Sequence, residues 1–298
     1  DVLRQGFEQA DGEDIWQKVL TKHPLQSFSR RYFDGVSDKL LSYQSTHCPP
    51  EQQATQLASS WFNVALPEPD PEWRQVSINQ LIQFYHHPAR YLMQQRLGLQ
   101  LGVSEEVLDS REPFSLDGLS AWQLRQLVLE PRLNGDALQT IKPMIDATGL
   151  LPQGTVGEMS FQDQATKVET FVEKLLPDYP NDFIDSIPVE LFLGEFSLLG
   201  QLEGCSSAGL FQYRLGKLKG GELLAVWCRH LVLNCIKPQG VVCESRWFTE
   251  DAEIHLLPVA EPEQHLLALL THYWAGCQSP LPLITNTSFA YAKASLNG

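Results

Sequence analysis

The residues best able to do chemistry gather between Phe196 and Cys235. There Leu210, Gln212 and Arg214 alternate with Phe211, Tyr213 and Leu215, so the two sets take opposite faces of a strand. From Gly209 to Lys237 the bases are Arg214, Lys217, Lys219, Arg229 and Lys237, against the single acid Glu222. Such a local excess can meet phosphates. Tyr213 and Phe211 could stack on unpaired bases. Arg90 and Arg96, interleaved with Tyr85 and Tyr91, make a second DNA-contact candidate. The ordinary alternatives stay open at both places: a solvated loop with its aromatics in the core, and a helix docked on the core.

Other chemistries find no support. There is no GxSxG elbow and no HExxH pair. Gly216-Lys217 resembles the end of a phosphate-binding loop, but Leu218 stands where Ser or Thr would hold Mg²⁺, and the upstream glycine spacing is wrong. His86 and His87 are adjacent and cannot easily share a ligand face. His265 and His272 lie two turns apart on one helix. The six cysteines (48, 205, 228, 235, 243 and 277) form no CxxC pair, so no zinc or iron–sulfur framework is expected. No metal or cofactor is expected.

Positioning these residues requires a strand, a tight loop, a second strand, a glycine hinge and a helix. Phe196, Leu198, Gly200 and Leu202 alternate with Ser197, Leu199, Gln201 and Glu203, as a strand requires. Cys205 to Gly209 is loop chemistry, and Gly220-Gly221 ends the strand region. Leu223, Leu224, Trp227, Leu231 and Cys235 then form a helical stripe. Upstream, helices are predicted over 51–65, from Ser77 as N-cap to the break at Pro88, over 113–130, over 136–147 and over 158–176. A strand is predicted over 188–193, with Gly194-Glu195 as a turn. Downstream come a hairpin around Thr249–Ala252 and a closing helix over 261–273. Pro67, Pro69 and Pro71 alternate with acids, a stiff linker and domain boundary. Helices, a strand cluster, then strand and helix suggest a mixed sheet with helices on both faces.

The chain has 298 residues, 43% hydrophobic and 19% charged, values of an ordinary globular protein. Its net charge of -14 argues against a stand-alone, non-specific nucleic-acid binder. It leaves room for basic patches and for partner proteins. No run reaches the ~18 apolar residues that a membrane span needs, and no leader pattern is visible. A cytoplasmic protein with reduced thiols is expected. Asp1 at the start and the abrupt Asn297-Gly298 end suggest a piece of a longer chain. Trp16, Trp61, Phe62, Trp73 and Trp122 are many large aromatics for a helical region. Some could face missing domains or a partner.

This order of elements resembles the RecB-type nuclease domain of the PD-(D/E)xK superfamily. More closely, the chain is similar to the C-terminal part of the RecC family, the gamma chains of exodeoxyribonuclease V. The carrying stretches are HPLQSFSRRYF (23–33), LIQFYHHPARYLMQQRLGL (81–99), EPFSLDGLSAWQL (112–124), LPQGTVGE (151–158) and LLAVWCRHLVLN (223–234). The resemblance implies an α/β (α+β) fold with a restriction-endonuclease-like mixed central sheet flanked by helices. Residues 1–72 would be a helical tail and linker from a preceding helicase-like region, and 73–298 an inactive nuclease-like domain. It also implies a non-catalytic subunit with RecB-like and RecD-like partners, acting on double- and single-stranded DNA in repair and recombination.

Active RecB-type nuclease domains use an upstream His, an Asp at one strand end, and Asp-Tyr-Lys on the next strand. The carboxylates hold Mg²⁺, which activates water. By that resemblance Phe161 stands in the His position and Glu203 keeps one carboxylate near the first Asp. Gln212-Tyr213-Arg214 replaces Asp-Tyr-Lys. An amide oxygen is a weak substitute for a carboxylate on Mg²⁺, and Arg214 cannot readily release a proton. The expectation is an inactive site in which Arg214 pairs with Glu203. Relocated catalytic residues are the alternative.

Overall fold

The computed structural model describes residues 19–48, 64–99 and 115–297. The predicted helix at 51–65 as far as residue 63, Trp16, Trp61, Phe62, the acidic start of the chain and the first three residues of EPFSLDG (112–114) lie outside these residues. The chain divides into two compact units, Asp1–Asn63 and Val64–Gly298. In the first unit, the described residues form two short 3₁₀ turns, Arg30–Tyr32 and Ser45–His47.

The second unit carries the candidate residues. After an extended proline-rich stretch and a 3₁₀ turn at Pro71–Arg74 come β1 (Gln75–Ser77) and α1 (Ile78–His86). Ser77 caps α1 as its position predicts. Its hydroxyl accepts from Gln80 N–H at 3.1 Å, and Gln80 Oε1 accepts from Ser77 N–H at 2.8 Å, a reciprocal capping box. Pro88 then ends α1 and opens α2 (Pro88–Tyr91), which runs into a π turn at Leu92–Arg96. Three helices follow: α3 (Gly118–Leu133), α4 (Leu138–Ala147) and α5 (Gly154–Leu175). Helix α5 begins at Gly154, four residues before the expected Glu158, with Gln153 in extended conformation as its N-cap.

The remaining elements are β2 (Ile187–Leu193), β3 (Phe196–Leu202), β4 (Cys205–Ser206), β5 (Gly209–Tyr213), α6 (Gly220–Ile236), β6 (Ser245–Phe248), β7 (Glu253–Leu256), α7 (Pro262–Gly276) and α8 (Thr285–Asn297). The architecture is mixed α/β. The described strands divide into two mixed sheets, ordered β1-β3-β2 and β4-β5-β6-β7. In the first, β1 runs parallel and β2 antiparallel to β3. In the second, β5 and β6 are parallel, with antiparallel β4 and β7 outside them.

The bend between the sheets is at Gly204. Its φ of +78° is left-handed, and a Cβ there would sit 2.8 Å from Phe211 O. Only glycine fits that combination. Cys205 to Gly209, expected as a loop, therefore begins and ends in paired strand. Gly220-Gly221 opens α6 instead of merely ending the strand region, and both glycines are buried. A Cβ on Gly220 would meet Phe289 Cβ at 2.6 Å, and one on Gly221 would meet His86 Nδ1 at 2.5 Å. The paired glycines thus let α1 and α8 close on the start of α6. The expected closing helix extends to Gly276, and α8 follows it; the weak periodicity of α8 hides it in the sequence.

Two cores sit on either side of β5. One gathers α1, β3, α6 and α7, including Phe84, Leu198, Leu231 and Leu270. The other gathers α3, α4 and α5 with Phe211, Leu215 and Phe248. Leu210 joins the first and Phe211 the second, so the alternation of β5 separates them. Helix α6 is buried more broadly than a single stripe. Ala225, Val226, Cys228 and all of Leu231 to Asn234 are inaccessible, because α1, α7 and α8 each pack on it.

Candidate functional site

Strand β5 ends at Tyr213, and the chain turns there toward α6. The main chain still holds: Arg214 N–H donates to Phe248 O at 2.9 Å. Leu210 and Phe211 take opposite faces of β5, so alternation puts Gln212 opposite Phe211, while Arg214 lies past the strand. Gln212 Oε1 is buried without a hydrogen-bond partner. Arg214 leans on Glu222 in the first turn of α6, with Nη1 3.4 Å from Oε1. That nitrogen makes no hydrogen bond, so the contact is electrostatic. The expected Arg214–Glu203 pair is therefore corrected to Arg214–Glu222. Arg214 has passed the end of the strand, and the Gly220-Gly221 opening brings Glu222 to it.

Glu203 is exposed beyond the end of β3. One basic group that feels its charge is Arg229, two turns after Glu222 on α6. Burial pulls the Arg229 guanidinium below its ordinary range, while Cys228, Glu222 and Glu203 oppose the shift. Arg229 thus feels both Glu203 and Glu222, and Glu222 is also the partner of Arg214. Arginine fits there because it stays charged when partly desolvated.

Phe161 takes a different place. It is buried in the second core on α5, and Lys142 Nζ lies 5.3 Å over its ring. Among the described residues, no three His, Cys, Asp or Glu side chains converge as a metal site would need.

The DNA-contact candidates separate. Lys217 and Lys219 are exposed on the loop before α6, and Arg90 is exposed on α2. Arg96 is engaged: its Nη2 donates to Pro67 O at 2.8 Å, and its guanidinium lies 5.9 Å from the Trp73 ring centroid. It fastens the proline-rich stretch to the body of the unit. Tyr213 is half-buried within a cluster of Tyr179, Phe183 and Phe211. Burial, with smaller contributions from Tyr179 and Glu130, pushes its hydroxyl to about 12. The ring is committed to packing on both its neighbours. Sequence reasoning missed Glu222 as the partner of Arg214. The available signal was that a Gly-Gly-Glu opening puts an acid in a helix's first turn, where it also meets the helix dipole favourably.

A family model for the RecC C-terminal domain matches residues 73–296. The chain belongs to this family. Curated relatives include the RecBCD enzyme subunit RecC of Escherichia coli K12, 27% identical over 256 residues, covering 85% of this chain and 22% of the relative. The Mycolicibacterium smegmatis subunit of the same name is 27% identical over 298 residues, covering 95% of this chain and 27% of the relative. The Haemophilus influenzae one is 20% identical over 254 residues, 82% of this chain and 22% of the relative. The chain therefore spans about a quarter of the length of these relatives. Within the family's matched span lie every candidate named above: the Arg214–Glu222 pair, Glu203, Phe161 and the basic loop. Among the described residues, no helix is long and apolar enough to cross a membrane.

Proposed function

We propose that this RecC C-terminal domain is a non-catalytic part of a cytoplasmic RecBCD-type helicase–nuclease complex in DNA repair and recombination. It guides single- and double-stranded DNA at a broken end and scaffolds RecB-like and RecD-like subunits. The relatives' names support the complex. One observation carries the non-catalytic role: Arg214, paired with Glu222, stands where the resemblance would place a catalytic lysine beside metal-holding carboxylates. Gln212 next to it offers a neutral amide. A fixed guanidinium repels Mg²⁺ and holds its proton. The domain then has the shape of a strand-handling fold without the charge to cut.

The test uses the full-length subunit, alone and in the reconstituted complex, with Mg²⁺ and with Mn²⁺. The subunit alone is expected to leave single- and double-stranded DNA ends intact, and Glu203→Ala is expected to leave cleavage by the complex unchanged. Cleavage by the subunit alone that Glu203→Ala abolishes would establish displaced catalytic ligands instead. Charge reversal at Lys217 and Lys219 should weaken DNA binding by the complex. Unchanged binding and unwinding would mark a domain that only contacts proteins.

A further inference from the structure

The Thr249–Ala252 turn, between β6 and β7, joins two groups of cations that lie far apart in sequence. On one side it carries the loop at 214–219. Leu218 N–H donates to Asp251 Oδ1 at 2.8 Å, and Glu250 N–H donates to Gly216 O at 3.1 Å. On the other side Lys174 of α5 holds the turn, with Nζ 2.9 Å from Thr249 O and 3.3 Å from Ala252 O. Next to Lys174, a cleft of about 360 Å³ opens between α3 and α5. Arg125, Lys167, Thr170, Phe171, Lys174 and Glu250 line it.

Arg125 has spare capacity in that cleft. Its closest acid is Glu250, with Nη1 and Oε1 3.9 Å apart, and its Nε is shielded from water with no hydrogen-bond partner. A guanidinium carries five donors. Lys167 is paired with Asp163 one turn back on α5, at 2.7 Å, and both side chains are about half exposed or more. Such a pair yields readily to a stronger anion. Acids at the cleft and the turn include Glu250, Asp163 and Asp251. Asp251 is already occupied by Leu218 N–H and the Thr249 hydroxyl. Phe171 gives the cleft an apolar floor.

We propose that this cleft takes a backbone phosphate of a DNA strand, its oxygens on Arg125 and Lys167 and its sugar over Phe171. The strand then continues across the Thr249–Ala252 turn to Lys217 and Lys219, so that α3, α5 and the basic loop form one track. The inference rests on the proposed DNA-guiding role and adds the course of the strand.

The experiment measures DNA-end binding by the reconstituted complex as a function of salt. It compares Lys167→Gln, Arg125→Gln, Arg125→Lys and the pair Lys217→Gln with Lys219→Gln. Removing one cation that neutralises a phosphate lowers the slope of log K against log salt by about 0.7 for single strands and about 0.9 for duplex. Lys167→Gln and Arg125→Gln are each expected to lower it by about that much, and Arg125→Lys to preserve it. Lys167 is half exposed, so its variant reports on the cleft even if Arg125→Gln misfolds. A reduced slope only in the Lys217/Lys219 variant would overturn the cleft and leave the DNA-guiding role standing. An unchanged slope in every variant would overturn both. Weaker subunit assembly with an unchanged slope would make the cleft a seat for an acidic protein segment, and would also overturn the proposal.

Discussion

Arg214 approaches Glu222 to 3.4 Å across the junction of β5 and α6. Both side chains are nearly a third exposed, at 30% and 28%, so water screens the pair. Its contribution to stability should be small, about 0–1 kcal/mol. A double-mutant cycle of Arg214→Ala and Glu222→Ala, followed by urea unfolding of the subunit, is expected to give a coupling in that range. A coupling of several kcal/mol would mean the pair is far drier than its exposure indicates.

A different polar group carries the interior. His230 on α6 is fully buried, with Nδ1 2.7 Å from Ser245 Oγ and Nε2 3.0 Å from Leu257 O. Asn234, one turn later, donates to Cys243 O at 3.2 Å and accepts from Val259 N–H at 3.0 Å. Together they fasten α6 to β6 and to the segment after β7. The neutral ring suits this: Nε2–H donates to the carbonyl and Nδ1 accepts from the Ser245 hydroxyl. Burial lowers the His230 pKa from its ordinary 6.5, with the Leu257 bond opposing. The unfolded chain therefore binds the extra proton first, and stability is lost as pH falls below about 6.5. Melting temperature measured from pH 8 to pH 5 should fall across this window. In His230→Gln that pH-dependent loss should shrink, from a lower starting stability.

The strands and helices around β5 were legible because their periodicities are strong and their boundaries carry Ser77, Pro88 and Gly194. The opposite facing of Leu210 and Phe211 was legible for the same reason, since alternation alone decides it. The partner of Arg214 was not legible. It depends on where α6 starts, and Gly220-Gly221 looks like a terminator until α8 and His86 are seen packed against it. The cleft at Arg125 was hidden too, because α3 and α5 meet the β6–β7 turn only in three dimensions. Helix α8 escaped because its exposed, mostly small and polar sequence lacks an apolar stripe.

Gly157 marks a close approach that no side chain can share. It lies in the first turn of α5, within LPQGTVGE, and a Cβ there would sit 1.8 Å from the Pro152 carbonyl oxygen. That obstacle is main chain, so it cannot rotate aside. Gly157→Ala must displace the 151–154 turn or the start of α5, at a cost of about 1–3 kcal/mol or more. Thermal or urea unfolding of the variant should show the loss. The exposed Gly135, which has open space around it but φ of +92°, should cost less on replacement by Asn, which tolerates a left-handed backbone better than most residues.

Asp251 separates the position of the basic loop from its charge. Its carboxylate accepts from Leu218 N–H at 2.8 Å and from the Thr249 hydroxyl at 3.1 Å. The Leu218 bond, the largest cause, holds its pKa below the usual carboxylate range. Asp251→Asn removes one negative charge from the surface, yet weakens the tether that holds Lys217 and Lys219 beside the turn. If charge alone set DNA affinity, the variant would bind more tightly. If the loop must be held in place, it should bind less tightly, with faster hydrogen exchange at the Leu218 amide. The second outcome is expected, because an amide oxygen is a weaker acceptor than a carboxylate. Binding by the reconstituted complex, read alongside exchange at that amide, distinguishes the two.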